Sequence, residues 1–143
     1  MLNPVHILLV EDNEGDIVLT LEAFHDVKLR NKVSVVRDGE EAIRFLNREG
    51  EYREAAAPDI VLLDINLPRI NGKEVLSYIK SSEQLKSLPV VMLTTSSSGR
   101  DIQESYAGHA NCYITKPVDF AKFIEVVRSI ENFWISIVSL PPK

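Results

Sequence analysis

The sequence predicts an α/β domain of the (βα)5 type, in which one five-stranded parallel sheet is doubly wound, with helices on both faces. Three observations predict it. Five short apolar runs, rich in β-branched residues, recur along the chain and are typical of strands. Amphipathic stretches at helical spacing lie between them. Three of the runs are apolar at consecutive positions, as burial on both faces of a parallel sheet requires.

The predicted strands are the five apolar runs themselves. In chain order they are Val5–Val10, Val33–Val36, Ile60–Leu63, Pro89–Leu93 and Asn111–Thr115. The first, third and fourth are continuously apolar, so we expect them to be buried on both sides. Right-handed crossovers between the strands would then place helices on both faces of the sheet.

Four helices are predicted between and after these strands, each from apolar residues that share one helical face. In chain order, these residues are Ile17, Leu21 and Phe24; Ala42, Ile43, Phe45 and Leu46; Val75, Leu76 and Ile79; and, in a weaker pattern, Ile102, Tyr106 and Ala107. We expect the second helix to begin at Asp38-Gly39 and to end at Gly50.

A fifth, extended helix is predicted from Asp119, followed by a C-terminal tail over residues 135–143. One apolar face is enough to pack a helix on the sheet, and this helix carries apolar residues beyond that face. We therefore expect a second surface to cover the additional apolar residues. We expect the residues Phe133, Trp134, Ile137 and Val138 to form a homodimer interface, together with the fourth helix and fifth strand. The alternative is a tail that folds back on its own domain.

Composition limits the classes of function. With 143 residues, the chain suits a single domain spanning 1–143. Its 21 acidic and 16 basic residues give a net charge of −5, which argues against nucleic acid as the main partner. No apolar run approaches the roughly 18 residues that cross a bilayer, and no signal peptide opens the chain. One cysteine cannot form an intrachain disulfide, which favours a cytoplasmic location.

Polar side chains follow four of the predicted strands, at the point where each strand ends. Glu11 and Asp12 come after the first strand, Asp64 after the third, Thr94 after the fourth and Lys116 after the fifth. Since doubly wound sheets bind ligands at the carboxyl ends of their strands, we expect these side chains to converge on one rim.

This set of side chains predicts a divalent-cation site that supports phosphoryl transfer. Clustered carboxylates repel one another, and oxygen ligands without His or Cys suit a hard ion such as Mg²⁺. A metal, a free carboxylate, a hydroxyl and a lysine together can transfer a phosphoryl group. Taken singly, each residue also has an ordinary structural role. Glu11-Asp12 or Asp16 could cap the first helix, Lys116 could be a solvated surface residue, and the Thr94 hydroxyl could bond to the backbone.

Four segments resemble the receiver domain of two-component response regulators. They are LLVEDN at 8–13, LLDINLPRINGKEV at 62–75, PVVMLTTS at 89–96 and CYITKPVD at 112–119. The resemblance covers nearly the whole chain in the right order, and it implies the flavodoxin-like receiver fold. It implies that Asp64 is the phosphoacceptor. It also implies that Mg²⁺ (or Mn²⁺) is held by Glu11, Asp12, Asp64 and the backbone carbonyl of Asn66.

The same resemblance assigns roles to three further residues. Thr94 occupies the position of the family's hydroxyl, and Lys116 that of the lysine that contacts the phosphoryl group. Tyr113 lies where many receivers carry an aromatic switch residue; the alternative is an ordinary half-buried strand aromatic. The family also implies a cis bond between Lys116 and Pro117.

A narrower resemblance concerns the partner. The loop Glu49–Pro58, HANCYITKPVD at 109–119 and IENFWISIVSLPP at 130–142 resemble single-domain regulators that pair with bacterial, especially cyanobacterial, phytochrome histidine kinases. This implies a cytoplasmic phosphoprotein of light signalling, partnered by a histidine kinase and not by nucleic acid or membrane. It would be no enzyme beyond catalysing its own phosphorylation and dephosphorylation, and it would signal through its fourth helix, fifth strand and fifth helix.

Two other classes of function remain open. A phosphatase of the haloacid-dehalogenase type would also use an Asp nucleophile, but Asp64-Ile65-Asn66 lacks the second carboxylate of its Asp-x-Asp motif. A flavodoxin-like flavin or nucleotide binder would offer phosphate backbone amides after the first strand, where Glu11-Asp12 would instead repel it.

Overall fold

The structure, a computed structural model, describes residues 5–25, 31–94, 112–116, 118 and 120–127. Its strands are β1 (Val5–Val10), β2 (Asn31–Val36), β3 (Ile60–Asp64), β4 (Val90–Thr94) and β5 (Cys112–Thr115). Its helices are α1 (Glu14–His25), α2 (Gly39–Leu46), α3 (Gly72–Ser81) and α4 (Phe120–Val127), with a 3₁₀ turn at Gly50–Tyr52. None of the helices in the described ranges is long and apolar enough to span a membrane.

The five strands form one parallel sheet in the order β2-β1-β3-β4-β5. The order reverses between β1 and β3, which is where doubly wound sheets open a ligand-binding crevice. This confirms the predicted fold class. The predicted helix around Ile102, Tyr106 and Ala107 lies outside the described residues, as do the tail 135–143 and the dimer residues Phe133, Trp134, Ile137 and Val138.

Side chains alternate along the strands between two buried clusters, one on each face of the sheet. On one face, α1 and α4 cover Ile7, Leu9, Leu62 and Leu93. There Phe24 and Phe123 pack edge to face, with ring centroids 5.0 Å apart. On the other face, α2 and α3 cover Leu8, Val10, Leu63 and Met92. The interior strands are buried at every position, as their apolar runs predict.

Strand bounds differ from the prediction where pairing continues through polar residues. β2 begins at Asn31 rather than Val33, because Asn31 and Lys32 pair with the first two residues of β1. β3 and β4 each extend one residue further, to Asp64 and Thr94. A backbone ladder does not depend on side-chain polarity, so it carries these two functional candidates into the sheet itself.

Leu21 was wrongly predicted to belong to the buried face of α1. It is 37% exposed, whereas Ile17, Thr20 and Phe24 are buried. Thr20 fits the interior because its hydroxyl donates to the Asp16 carbonyl at 2.9 Å, which satisfies its polar group. The buried stripe is therefore rotated away from Leu21.

The predicted end of the second helix, at Gly50, is also wrong. α2 begins as expected, with the Asp38 side chain accepting from the Glu41 N–H, but it ends at Leu46. Arg48 adopts a left-handed φ of 56°, and the N–H groups of Arg48 and Glu49 donate to Phe45 and Arg44 carbonyls. This is the Schellman arrangement, formed here without glycine; Gly50 instead begins the 3₁₀ turn.

Candidate functional site at the carboxyl ends of the strands

Backbone hydrogen bonds bring the predicted residues to one rim of the sheet. The Glu11 N–H donates to the Val36 carbonyl at 3.0 Å, and the Lys116 N–H donates to the Thr94 carbonyl at 2.7 Å. Asp64 ends β3 in register with Leu93, next to Thr94. The convergence expected from parallel strands is therefore observed for these residues.

Three carboxylates cluster at the centre of this rim. Glu11, Asp12 and Asp64 each offer one oxygen, and these oxygens all lie within 4.8 Å of one another. Glu11 is 1% exposed and Asp64 4%, while Asp12 is exposed to solvent. An oxygen-only donor set that is open to solvent on one side fits a hard divalent cation that keeps part of its water shell.

The Lys116 ammonium lies within hydrogen-bonding distance of three carboxylates. Its Nζ is 2.7 Å from Glu11 Oε1, 3.0 Å from Asp16 Oδ2 and 3.1 Å from Asp64 Oδ2. The Lys116 side chain is only 8% exposed, so these ion pairs are poorly screened by water. In the structure this lysine supplies positive charge beside the carboxylates.

These contacts change the proton affinity of Glu11 and Lys116. Burial is the main cause that raises the pKa of Glu11 to about 7; the hydrogen bond from Lys116 opposes this rise, and the neighbouring Asp64 contributes to it. Burial alone would lower the pKa of Lys116, but hydrogen bonds to Glu11, Asp16 and Asp64 raise it above its ordinary value. Lys116 therefore stays charged at physiological pH, whereas Glu11 titrates in the physiological pH range.

Local geometry fixes the Asp64 carboxylate at the end of β3. Its Oδ1 accepts from the Asn66 N–H at 3.1 Å, and its Oδ2 accepts from Lys116. The backbone approaches closely here, since a Cβ on Gly72 would lie 2.1 Å from the Asp64 carbonyl oxygen. A capping box between Asn71 and Glu74 begins α3 at this point and holds the loop.

Thr94 and Tyr113 lie on the β4–β5 side of the rim. Thr94 is 2% exposed at the end of β4, next to Thr115 of β5. Tyr113 pairs with Met92 and packs, half-buried, against the apolar cluster that contains Met92. Pro117 lies outside the described residues, and so does its peptide bond to Lys116.

The contact between Asp16 and Lys116 was not predicted from the sequence. The sequence pattern offers Asp16 only as a candidate helix cap, but the cap is Asn13, whose Oδ1 accepts from the Asp16 N–H at 2.9 Å. Asp16 instead points its carboxylate at Lys116, across 100 residues of sequence. An acidic residue in a first helical turn gives no signal of such a distant partner, because the helix N-terminus alone explains it.

Comparison with known proteins identifies the family. The model of the response regulator receiver domain matches residues 7–128. The chain belongs to this family. It is therefore a receiver-domain response regulator and not a classical enzyme.

Three comparisons describe its similarity to particular members. The response regulator Rcp1 of Synechocystis sp. is 42% identical over 138 residues, which span 96% of this chain and 94% of Rcp1. The phosphorylated cyanobacterial phytochrome response regulator RcpA is 47% identical, with a TM-score of 0.79 over 98% of this chain and 100% of that structure. The Mn²⁺-bound form of Rcp1 gives a TM-score of 0.78 at 42% identity over 97% of this chain and 100% of that structure.

Proposed function

We propose that this receiver accepts a phosphoryl group on Asp64 from a histidine kinase, in a phytochrome-type light-signalling relay. The observation that carries the assignment of Asp64 is its placement. It is a buried carboxylate at the end of β3, 3.1 Å from the Lys116 ammonium and within a cluster of two other carboxylates. The haloacid-dehalogenase alternative lacks a second carboxylate two residues after Asp64, where the chain has Asn66.

The proposed chemistry is an in-line displacement at phosphorus. A carboxylate oxygen of Asp64 forms the new P–O bond while the P–N bond of a phosphohistidine breaks, and the imidazole leaves with the electron pair and takes up a proton. Lys116 offsets negative charge on the phosphoryl oxygens, and the Thr94 hydroxyl donates to one of them. Hydrolysis by water then returns Asp64 and inorganic phosphate.

A divalent cation, Mg²⁺ or Mn²⁺, would be held by Glu11, Asp12, Asp64 and the carbonyl of Asn66. When bound, it supplies charge that stabilises the phosphoryl oxygens in the transition state. The donor chemistry supports this assignment, since the three clustered side chains offer oxygen ligands only. The Mn²⁺-bound relative Rcp1 supports it as well.

The signal would pass through Thr94 and Tyr113. Phosphorylation adds negative charge and acceptor oxygens at Asp64, which would draw the Thr94 hydroxyl inward. Tyr113 is half-buried beside the neighbouring apolar cluster, so a modest shift would complete its burial. The surface of the predicted fourth helix, β5 and the final helix would change in response.

The partner assignment rests on relatives. RcpA is named a phytochrome response regulator, and it is 47% identical to this chain. We propose a bacterial phytochrome histidine kinase as phosphoryl donor, a cytoplasmic setting, and a homodimer formed through Phe133, Trp134, Ile137 and Val138. Sedimentation equilibrium tests the dimer: a monomer at micromolar concentration, with and without phosphorylation, would contradict it.

Phosphotransfer from a purified kinase tests the function as a whole. A phytochrome histidine kinase is autophosphorylated with labelled ATP and mixed with wild type, Asp64→Asn and Asp59→Asn. We expect label to move to wild type and to Asp59→Asn within seconds to minutes, to require Mg²⁺ and to be absent from Asp64→Asn. Faster transfer from an unrelated histidine kinase would contradict the phytochrome assignment. Phosphate transfer that survives Asp64→Asn would contradict the assignment of the phosphoacceptor.

A further inference from the structure

The Lys116 ammonium is shared among three carboxylates, and only two of them belong to the cluster described above. Those two are Glu11 and Asp64, at 2.7 and 3.1 Å from Nζ. The third is Asp16, whose Oδ2 accepts at 3.0 Å. An ammonium has three protons, so each carboxylate can take one. The donor capacity of Lys116 is thus fully used.

Asp16 is held firmly by the first turns of α1. Its N–H donates to Asn13 Oδ1 at 2.9 Å, and its carbonyl accepts from the Thr20 hydroxyl at 2.9 Å. Its side chain is 29% exposed, against 1% for that of Glu11. Among the described residues, the oxygens gathered within 4.8 Å of one another come from Glu11, Asp12 and Asp64, and not from Asp16. Asp16 therefore contacts the lysine without joining the proposed cation ligands.

The three partners of Lys116 have different fates in the proposed reaction. Glu11 would become a ligand of the cation and Asp64 would be phosphorylated, so the contacts of both carboxylates with Lys116 would change during the reaction. Asp16 keeps its place, because nothing in the reaction involves it directly. We infer that Asp16 is a positioning residue, which holds the Lys116 ammonium beside Asp64 during phosphoryl transfer. This inference rests on the proposed function.

Two other roles for Asp16 make different predictions. If Asp16 only stabilised the fold, its removal would change the free energy of unfolding but not the rate of phosphorylation. If it competed with the phosphoryl group for Lys116, its removal would speed phosphorylation. A positioning role predicts slower phosphorylation in a folded protein.

The rate experiment uses acetyl phosphate with saturating Mg²⁺. For Asp16→Asn, which keeps the side-chain size, we expect the rate to fall about tenfold, as for loss of one charged hydrogen bond. Asp16→Glu keeps the charge and should recover the rate to within about threefold. The matched control is Glu14→Gln, which alters an exposed carboxylate of the same turn that pairs with Arg37 at 2.7 Å. Its rate should equal that of wild type.

A second measurement avoids phosphorylation altogether. In metal-free, ¹⁵N-lysine-labelled protein, the Lys116 ammonium should give a slowly exchanging proton signal that shifts and broadens in Asp16→Asn but not in Glu14→Gln. The Mg²⁺ affinity of Asp16→Asn should stay within about twofold of wild type, unlike that of Asp12→Asn, since Asp16 lies outside the ligand cluster.

The outcomes separate the inference from the function beneath it. A wild-type chain that acquires no phosphoryl group would overturn both. A phosphorylated wild type with an equal or faster Asp16→Asn rate would overturn the positioning role alone. An unchanged Lys116 signal, or a large loss of Mg²⁺ affinity in Asp16→Asn, would overturn it as well.

Discussion

Lys116 Nζ lies 2.7 Å from Glu11 Oε1, and both side chains are almost fully buried. The sequence predicts a divalent cation among the mutually repelling carboxylates of this rim. The structure adds an internal cation, because the ammonium of Lys116 reaches Glu11, Asp16 and Asp64 at once. The rim is therefore partly neutralised before any metal binds.

The stability of the metal-free protein should depend on the protonation of Glu11. The pKa of Glu11 is about 7 in the folded chain, against an ordinary value of 4.5 for a solvated glutamate. The folded state thus binds more protons between these values, so the free energy of unfolding in EDTA should fall as pH rises from 4.5 to 7, by roughly 3 kcal/mol. Urea titrations at pH 5 and pH 8 measure this change in the free energy of unfolding.

Glu11→Gln is the control for this pH dependence, since it removes the titrating group. Its unfolding free energy should change much less across the same range. Added Mg²⁺ should stabilise the wild type more at pH 8 than at pH 5, because a proton on Glu11 competes with the cation. Equal slopes for wild type and Glu11→Gln in EDTA would show that another group controls the transition.

Removal of the Lys116 ammonium should lower the free energy of unfolding. In Lys116→Met, the buried carboxylates of Glu11 and Asp64 lose their counter-charge, so we expect a loss of about 3 kcal/mol at pH 8 in EDTA. The loss should be smaller at pH 5, where Glu11 is protonated, and Mg²⁺ should restore part of it at pH 8. Lys32→Met, on an exposed lysine of β2, is the matched control and should change stability little. A Lys116→Met protein as stable as wild type at pH 8 would refute this balance of charge.

Gly72, the first residue of α3, should not tolerate a methyl group. A Cβ on Gly72 would lie 2.1 Å from the Asp64 carbonyl oxygen, so Gly72→Ala must displace the backbone that carries Asp64. We expect a loss of about 2 kcal/mol in stability and slower phosphorylation. Gly15→Ala, where the nearest atom is the Asn13 side-chain oxygen at 3.3 Å, should be far milder. Thermal unfolding of both variants tests the difference.

Asp12 should matter for the cation and little for the fold. It is the exposed member of the cluster, so Asp12→Asn should lower Mg²⁺ affinity about tenfold while the unfolding midpoint in EDTA stays near that of wild type. Isothermal titration with MgCl₂ measures the affinity. Glu22→Gln, an exposed carboxylate further along α1, should leave it unchanged. Equal affinities for wild type and Asp12→Asn would remove Asp12 from the ligand set.

Most of the site could be predicted because it lies at strand ends. In a parallel sheet, a residue that follows a buried strand has its position fixed by the strand pairing. The sequence alone therefore predicts that four side chains lie close together, namely those of Glu11, Asp64, Thr94 and Lys116. The family resemblance implies roles that the geometry alone does not give, such as that of Asp64 as the phosphoacceptor.

Residues whose placement depends on helix rotation or on loop conformation were harder to predict. Leu21 and Thr20 are adjacent on α1, and the polar Thr20 is the buried one, with its hydroxyl satisfied by the Asp16 carbonyl. α2 ends at Leu46 and is followed by Arg48 in a left-handed conformation, whereas the sequence pattern predicted that the helix ends at Gly50. Asp16 contacts a lysine 100 positions away, which no local pattern encodes.

Chemical mapping of the phosphoryl group tests the assignment of Asp64 most directly. The protein is incubated with acetyl phosphate and Mg²⁺, reduced with borohydride to convert an acyl phosphate to homoserine, and digested for tandem mass spectrometry. We predict homoserine at position 64, absent when EDTA replaces Mg²⁺ and absent in Asp64→Asn. Homoserine at position 12 or 16 with residue 64 unmodified, or a phosphoryl group that forms equally in EDTA, would contradict the proposed site.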